Sequence, residues 1–340
     1  MTVDLSAYLE EVPDAVVDRL RGARRVLAVS HENPDADTLG AALGIVQLVE
    51  AMGGTADPVC NDPPPTLYSF MPGIDRFRTD PDPGATYDLV VIVDCGALDR
   101  VGPLGVRHAE LFERAPRLII DHHASNDGDG EHDWIEPHAA ATCEMVGLLA
   151  ARLGMDAAMN DGTLATSLMA GIVMDTATFA HPNATPRTLA VSAWLVEAGA
   201  PLSDISRRLY RTKPEAQLRL FGRILARLES ANDGRVVWSH VSDADFAETG
   251  ADRAHSEGLI DLLSQAEAAE VAILFKEAGP TETRVSVRTR PGGVDATVLT
   301  GRFGGGGHAR AAGATVSSPL PDARPAVLAE AARLVAAVAR

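Results

Sequence analysis

The sequence predicts an α/β protein in which a first domain built on a parallel sheet is joined by a helical connector to a smaller α/β second domain. Three observations carry this expectation. Short apolar runs alternate with helix-like segments through the first half, the pattern of βαβ units. A mainly helical stretch follows, and a second strand-rich region ends in a closing helix. The 340 residues also exceed what one hydrophobic core usually holds. The expected boundaries are 1–185 for the first domain, 186–230 for the connector and 231–340 for the second domain.

The elements follow in order. Residues 26–30 (VLAVS) form a short apolar run that breaks into the polar loop HENPDAD. A helix is expected over about 39–52, stopped by Gly53 and Gly54. Residues 87–94 (YDLVVIVD) and 117–121 (RLIID) read as fully buried strands. Helices are expected around 141–153 and 162–174, and the connector holds PRTLAVSAWLVEAG and KPEAQLRLFGRILARLES. The second domain's strands are read at 235–240, 271–276 and 283–290, ahead of the loop FGGGGHARAAG and a helix from about Asp322.

Composition narrows the function. With 47 acidic and 30 basic residues the formal net charge is −17, the opposite of a protein that grips long nucleic acid by its phosphates. Aromatic residues make up 4%, too few for a long base-stacking platform. No apolar stretch approaches the roughly 18 residues that span a bilayer. The acidic start MTVDLSAYLEEV lacks the features of a signal peptide, so a cytoplasmic location without membrane attachment is expected. Cys60, Cys95 and Cys143 form no CxxC pair and are expected to be buried free thiols.

Four clusters carry chemistry: His31 with Asp35 and Asp37; Asp94; Asp121-His122-His123; and Asp175. The first three each follow a predicted strand, and the carboxyl ends of strands in an open parallel sheet converge on the crevice where ligands bind. Asp35 and Asp37 are expected in an extended loop after Pro34, which biases Asn33 away from the helical region. If the strand runs on through His122 and His123, their rings point opposite ways. Taken singly, Asp94 or Asp175 would read as a helix cap or turn residue. Together, four converging carboxylates repel unless a cation joins them. Carboxylates with imidazoles and no thiolate suit Mn²⁺, with Mg²⁺, Co²⁺ and Fe²⁺ as competitors. The remaining histidines (His108, His132, His138, His181, His240 and His255) read as surface residues.

HENPDAD, VDCG, DHH and GIVMDT, followed by GGGGHARAAG, resemble the DHH/DHHA1 phosphoesterase superfamily across nearly the whole chain, and most of all its nano-RNase/pAp-phosphatase branch. The resemblance implies two Mn²⁺ ions. One would take His31, Asp35 and Asp94; the other would take Asp37, Asp94, His122 and Asp175, with Asp94 bridging. His123 would be a catalytic, non-ligand histidine near the scissile phosphate, and Asp121 would orient the His pair. Ala41 and Ala177 depart from the family pattern, which often has Ser and Gly there.

In the second domain, glycines let backbone N–H groups approach an anion closely, which makes Gly305, Gly306 and Gly307 with His308 candidates for substrate binding. On VSVRTR, Ser286, Arg288 and Arg290 share a face that by itself reads as a solvated strand face. With the resemblance, Arg288 becomes the candidate phosphate clamp. The resemblance implies a small nucleotide, 3′-phosphoadenosine 5′-phosphate (pAp), or RNA of two to five nucleotides as substrate. It leaves open a cyclic or linear dinucleotide, an inactive nucleotide sensor and a homodimer.

Overall fold

The computed structural model describes residues 3–128 and 132–338. It divides into two compact units, Met1–Thr212 and Lys213–Arg340. The first carries strands β1 (Arg25–Val29), β2 (Thr55–Val59), β3 (Leu89–Val93), β4 (Arg117–Asp121) and β5 (Trp134–Ile135). All pair in parallel, in the order β2-β1-β3-β4-β5. Every residue of β3 is buried, as a strand covered on both faces requires. Its odd residues, Leu89, Val91 and Val93, join the larger core, while Val90 and Ile92 face a smaller one with Leu27 and Val29.

Helices α1 (Asp14–Gly22), α2 (Ala36–Ala51), α3 (Pro103–Arg107), α4 (Ala109–Arg114), α5 (Thr142–Arg152), α6 (Met159–Asp175), α7 (Pro186–Glu197) and α8 (Leu202–Ser206) complete this unit. Residues 36–49 of α2 are all buried, so this helix lies inside the core instead of on its surface. It begins at Ala36, not near residue 39, because Asp35 caps it: the carboxylate accepts from the Asp37 and Thr38 N–H at 2.9 and 3.2 Å. Asp37 therefore sits in a helical first turn instead of an extended loop. Pro34 does keep Asn33 out of the right-handed helical region, but into the left-handed one (φ +52°), which asparagine tolerates.

The expected connector divides between the units. Val191, Leu195 and Ile205, from α7 and α8, belong to the first unit's core. Helix α9 (Glu215–Leu225) instead sends Leu220, Phe221 and Ile224 into the second. Both stretches are amphipathic, and periodicity does not say which core a helix faces.

The second unit is a mixed sheet of β6 (Glu229–Ala231), β7 (Val236–Val241), β8 (Val271–Glu277), β9 (Thr283–Thr289), β10 (Gly306–His308) and β11 (Ala311–Val316), in the order β10-β11-β9-β8-β7-β6. Only β7 and β8 pair in parallel. One face packs on α12 (Ala296–Gly301) and α13 (Leu320–Val338) through Val285, Val287 and Ile273. The other is covered over β7 and β8 by α9 and α11 (Leu259–Leu263); α10 (Asp243–Thr249) packs on α9. No described helix is long and apolar enough to cross a membrane.

Candidate metal centre

The strand order reverses between β1 and β3, and a ligand crevice is expected at that switch point. His31 follows β1, Asp94 follows β3, Asp121 closes β4, and α2 presents Asp35 and Asp37 from its start. Asp94 takes φ +56°, a left-handed conformation that bends the chain sharply at the strand end. Asp175 is the last residue of α6, where the helix dipole disfavours a carboxylate. Its place there asks for a compensating positive charge.

These side chains converge. His31 Nε2 lies 3.6 Å from Asp94 Oδ2 and 4.0 Å from Asp35 Oδ1. His122 Nε2 lies 3.4 Å from Asp94 Oδ1 and 3.2 Å from Asp175 Oδ2. Ligand atoms of His31, Asp35 and Asp94 fall within 4.8 Å of one another, as do those of Asp37, His122 and Asp175. Asp94 is buried at 2% exposure and reaches toward both groups. The same spacing unites Asp94, His122 and His123, because the strand stops at Asp121 and does not run on through the histidines. Their rings meet edge to face at 4.7 Å instead of pointing apart.

The supports around these groups were not legible in the sequence. Asp37 accepts from the Thr142 and Cys143 N–H groups, at 2.7 and 2.9 Å, at the start of α5. Thr142 Oγ1 donates to Asp94 Oδ1 at 3.1 Å. His31 Nδ1 faces the Glu32 carbonyl at 2.7 Å and His122 Nδ1 the Ala139 carbonyl at 3.2 Å, which leaves each Nε2 for the centre. Asp121 does not orient both histidines. Among the described residues it accepts from His123 Nδ1 at 2.8 Å, from Gly96 N–H at 2.8 Å and from Asn126 at 2.7 Å, so of the two histidines it fixes His123. Ala177, Thr178 and Phe179 run consecutively through positive φ just after Asp175, which gives a glycine at 177 a backbone reason. All three cysteines are buried and free, and burial with the Asp37 charge holds the Cys143 thiol well above its usual range.

Electrostatics ask for a cation. Burial and the Asp94 charge raise Asp35, and burial with Asp94 and Asp175 raises Asp37 well above the carboxylate range. Asp175 rises to about 6, driven by burial against the His122 hydrogen bond. Burial alone would lower His122, but hydrogen bonds to Asp175 and Asp94 outweigh it and push the imidazole up to about 12. Burial would raise Asp94, yet His122 and His31 hold it well below the usual range. Protons thus gather where positive charge is short. Four carboxylates, two imidazoles and no thiolate fit hard or borderline divalent ions.

A pH dependence follows. A carboxylate with a raised folded-state pKa stabilises the ion-free protein below its unfolded value near 4 and loses that contribution as pH climbs to about 6. Ion binding needs the deprotonated ligand, so it strengthens over the same window. The difference in melting midpoint between Mn²⁺-supplied and chelated protein should widen between about pH 5 and pH 7. Calorimetry that finds a constant or shrinking difference contradicts this.

In the second unit, register places the candidate substrate residues. His308 opposes Ala311, which opposes Arg288, so His308 and Arg288 lie in one cross-strand row on one face. Gly306 opposes Gly313, which opposes Ser286, in the next same-face row. Gly307 belongs to the opposite face, and Gly306 and Gly307 of the glycine run lie in the edge strand β10. A Cβ at Gly305 would fall 2.1 Å from the Gly313 oxygen, and one at Gly307 2.6 Å from the Ala311 oxygen, so close backbone packing already explains both glycines. Arg288 Nε donates to Asp261 at 2.7 Å, and Arg290 lies beyond β9.

The chain matches the model of the DHH family, N-terminal domain, over residues 25–172 and that of the DHHA1 domain over 233–337. It is 32% identical over 295 residues to a Thermus thermophilus protein named bifunctional oligoribonuclease and PAP phosphatase NrnA, covering 86% of this chain and 84% of that one. A Bacillus subtilis protein of the same name is 25% identical over 290 residues, covering 85% and 88%. The crystal structure of an exopolyphosphatase-related protein from Bacteroides fragilis superposes with a TM-score of 0.86 at 20% identity, covering 97% of this chain and 98% of that one. At that identity the likeness is one of fold.

Proposed function

The chain belongs to the DHH family, in the branch that carries a DHHA1 domain behind the amino-terminal one, and on that premise we propose that it hydrolyses short oligoribonucleotides and pAp at a two-ion centre. It is a hydrolase of phosphoric esters. The observation that carries the finer reading is the convergence of His31, Asp35 and Asp94 and of Asp37, His122 and Asp175 around the buried Asp94 carboxylate. We assign the first group to one divalent ion and the second, with Asp94, to another, and name Mn²⁺ as the ion the donor set suits best. When bound, two such ions supply a water that is nucleophilic near neutral pH and neutralise charge on the phosphoryl oxygens.

The chain's own residues do the rest. Thr142 and the start of α5 fix Asp94 and Asp37, so the ligands are set before substrate arrives. His123 is held through Nδ1 by Asp121, whose hydrogen bond raises the imidazole pKa against the effect of burial. Held this way, His123 is the proposed proton donor to the leaving oxygen, through Nε2 of the protonated imidazole. Arg288, Gly306 and His308 are proposed to hold the phosphates, and a cytoplasmic site of action without long nucleic acid completes the reading.

The test is release of phosphate from pAp and of mononucleotide from a 5′-phosphorylated diribonucleotide, with Mn²⁺ and with chelator. Turnover of both that needs the ion supports the proposal. Turnover of neither by ion-loaded protein overturns it in favour of a dinucleotide phosphodiesterase or an inactive sensor.

A further inference from the structure

One face of the second unit's sheet carries more positive charge than the phosphate contacts above use. Lys276 on β8 stands directly opposite Arg284 on β9, so the two cations share a face as close cross-strand neighbours. Like charges in that position destabilise a sheet unless an anion lies between or over them. The Lys276 ammonium donates to the Ser256 hydroxyl at 2.9 Å, and neither Lys276 nor Arg284 forms an ion pair among the described residues. Both line a cavity of about 550 Å³ with Ser256 and Ser286. Two acids reach its wall. Glu277 is engaged with the Asp243 N–H at 3.0 Å, and the exposed Glu257 offsets part of the Lys276 charge. Burial outweighs Glu257 and, with Arg284 and Arg288, pushes the Lys276 amine below its ordinary value.

The pair also sits in line with the candidate substrate residues. Arg284, Ser286 and Arg288 are alternate residues of one strand, hence on one face, at steps of about 6.6 Å. His308 and Gly306 join that face through the rows that cross β11. The strip from His308 and Arg288 to Arg284 and Lys276 therefore runs roughly 13 Å along β9. Its step is of the order of one internucleotide spacing in an extended strand. In a chain of net charge −17, a strip in which Arg288 alone has an ion-pair partner among the described residues, Asp261, is a local exception.

We propose that Lys276 and Arg284 form a second anion position, which takes a further backbone phosphate of an oligoribonucleotide whose first is held at Arg288 and His308. This rests on the reading that the protein acts on short RNA, and it makes chain length a determinant of affinity. A diribonucleotide occupies the first position only, whereas a tetraribonucleotide reaches the second.

The test compares Mn²⁺-loaded full-length protein with its Arg284→Ala, Lys276→Met and Arg284→Lys variants. Ligands are phosphorothioate-linked di- and tetraribonucleotides, each with a 5′-phosphate, and the readout is the ratio of their dissociation constants. Arg284→Ala and Lys276→Met should each erase about tenfold of the preference for the tetranucleotide, the scale of one charge-assisted contact, and Arg284→Lys should restore most of it. A ratio that does not move in either variant overturns the proposal, as does wild-type protein with no preference for the longer ligand. Turnover of the unmodified RNAs by wild type judges the parent reading separately, since failure there leaves the affinity ratio measurable.

Discussion

Asp94→Ala should lower hydrolysis at least about 10³-fold, the scale expected when the group that neutralises and positions both ions is lost. Among the described residues Asp94 is the carboxylate that meets both groups of ligands: Oδ2 faces His31 at 3.6 Å, and Oδ1 faces His122 at 3.4 Å and Thr142 at 3.1 Å. The loss is separable from folding. Asp94 raises Asp35, Asp37 and Asp175, but it also pairs with His122 and His31 and accepts from Thr142, and its depressed pKa means that these contacts stabilise the ion-free fold. The variant should therefore melt below wild type, and the loss of turnover should persist at a temperature where circular dichroism shows both fully folded. Activity within tenfold of wild type would remove Asp94 from the bridging position.

Gly171→Ala should lower the stability of the first unit by about 3 kcal/mol and weaken ion binding with it. Glycine 171 lies where α6 crosses α2. A Cβ there would fall 2.4 Å from Asp37 Oδ1, 2.4 Å from Cys143 Sγ and 2.9 Å from the Asp37 Cα. Two of those atoms have no room to move. The Asp37 Cα belongs to a helix buried on all sides, and its carboxylate is pinned by two backbone N–H groups. The melting midpoint should fall by about 10 °C. Cys143→Ala in the same chain should return part of the stability, since it clears one contact and leaves the Asp37 clash. Full tolerance of Gly171→Ala would mean that the helices can separate without cost, and that Asp37 is not held as described.

What could be read ahead of the structure was whatever writes itself locally. Buried parallel strands appear as unbroken apolar runs such as LVVIV, and the polar residues that end them mark the sheet's carboxyl edge. That is why His31, Asp94, Asp121 and His122 could be placed together from spacing. Helix α2 was misplaced at its start for an instructive reason. Asp35 caps the helix, and an aspartate read as a ligand hides the same aspartate acting as a cap. The supports of Asp37 were invisible because they are backbone N–H groups of Thr142 and Cys143, and a main-chain donor carries no residue identity. Gly171 gave no signal either, since its role depends on a residue more than a hundred positions away. In the second unit, alternation placed Arg288 on the correct strand, but only register shows that His308 and Gly306 share its face and that Gly307 does not.

The most direct test of the two-ion account is the number of Mn²⁺ ions held per chain, measured by titration calorimetry and elemental analysis on wild type and on Asp175→Asn. The account predicts two ions for wild type and one retained tightly by the variant, since His31, Asp35 and Asp94 remain intact. One ion or none in wild type, or two equally tight ions in the variant, would contradict it.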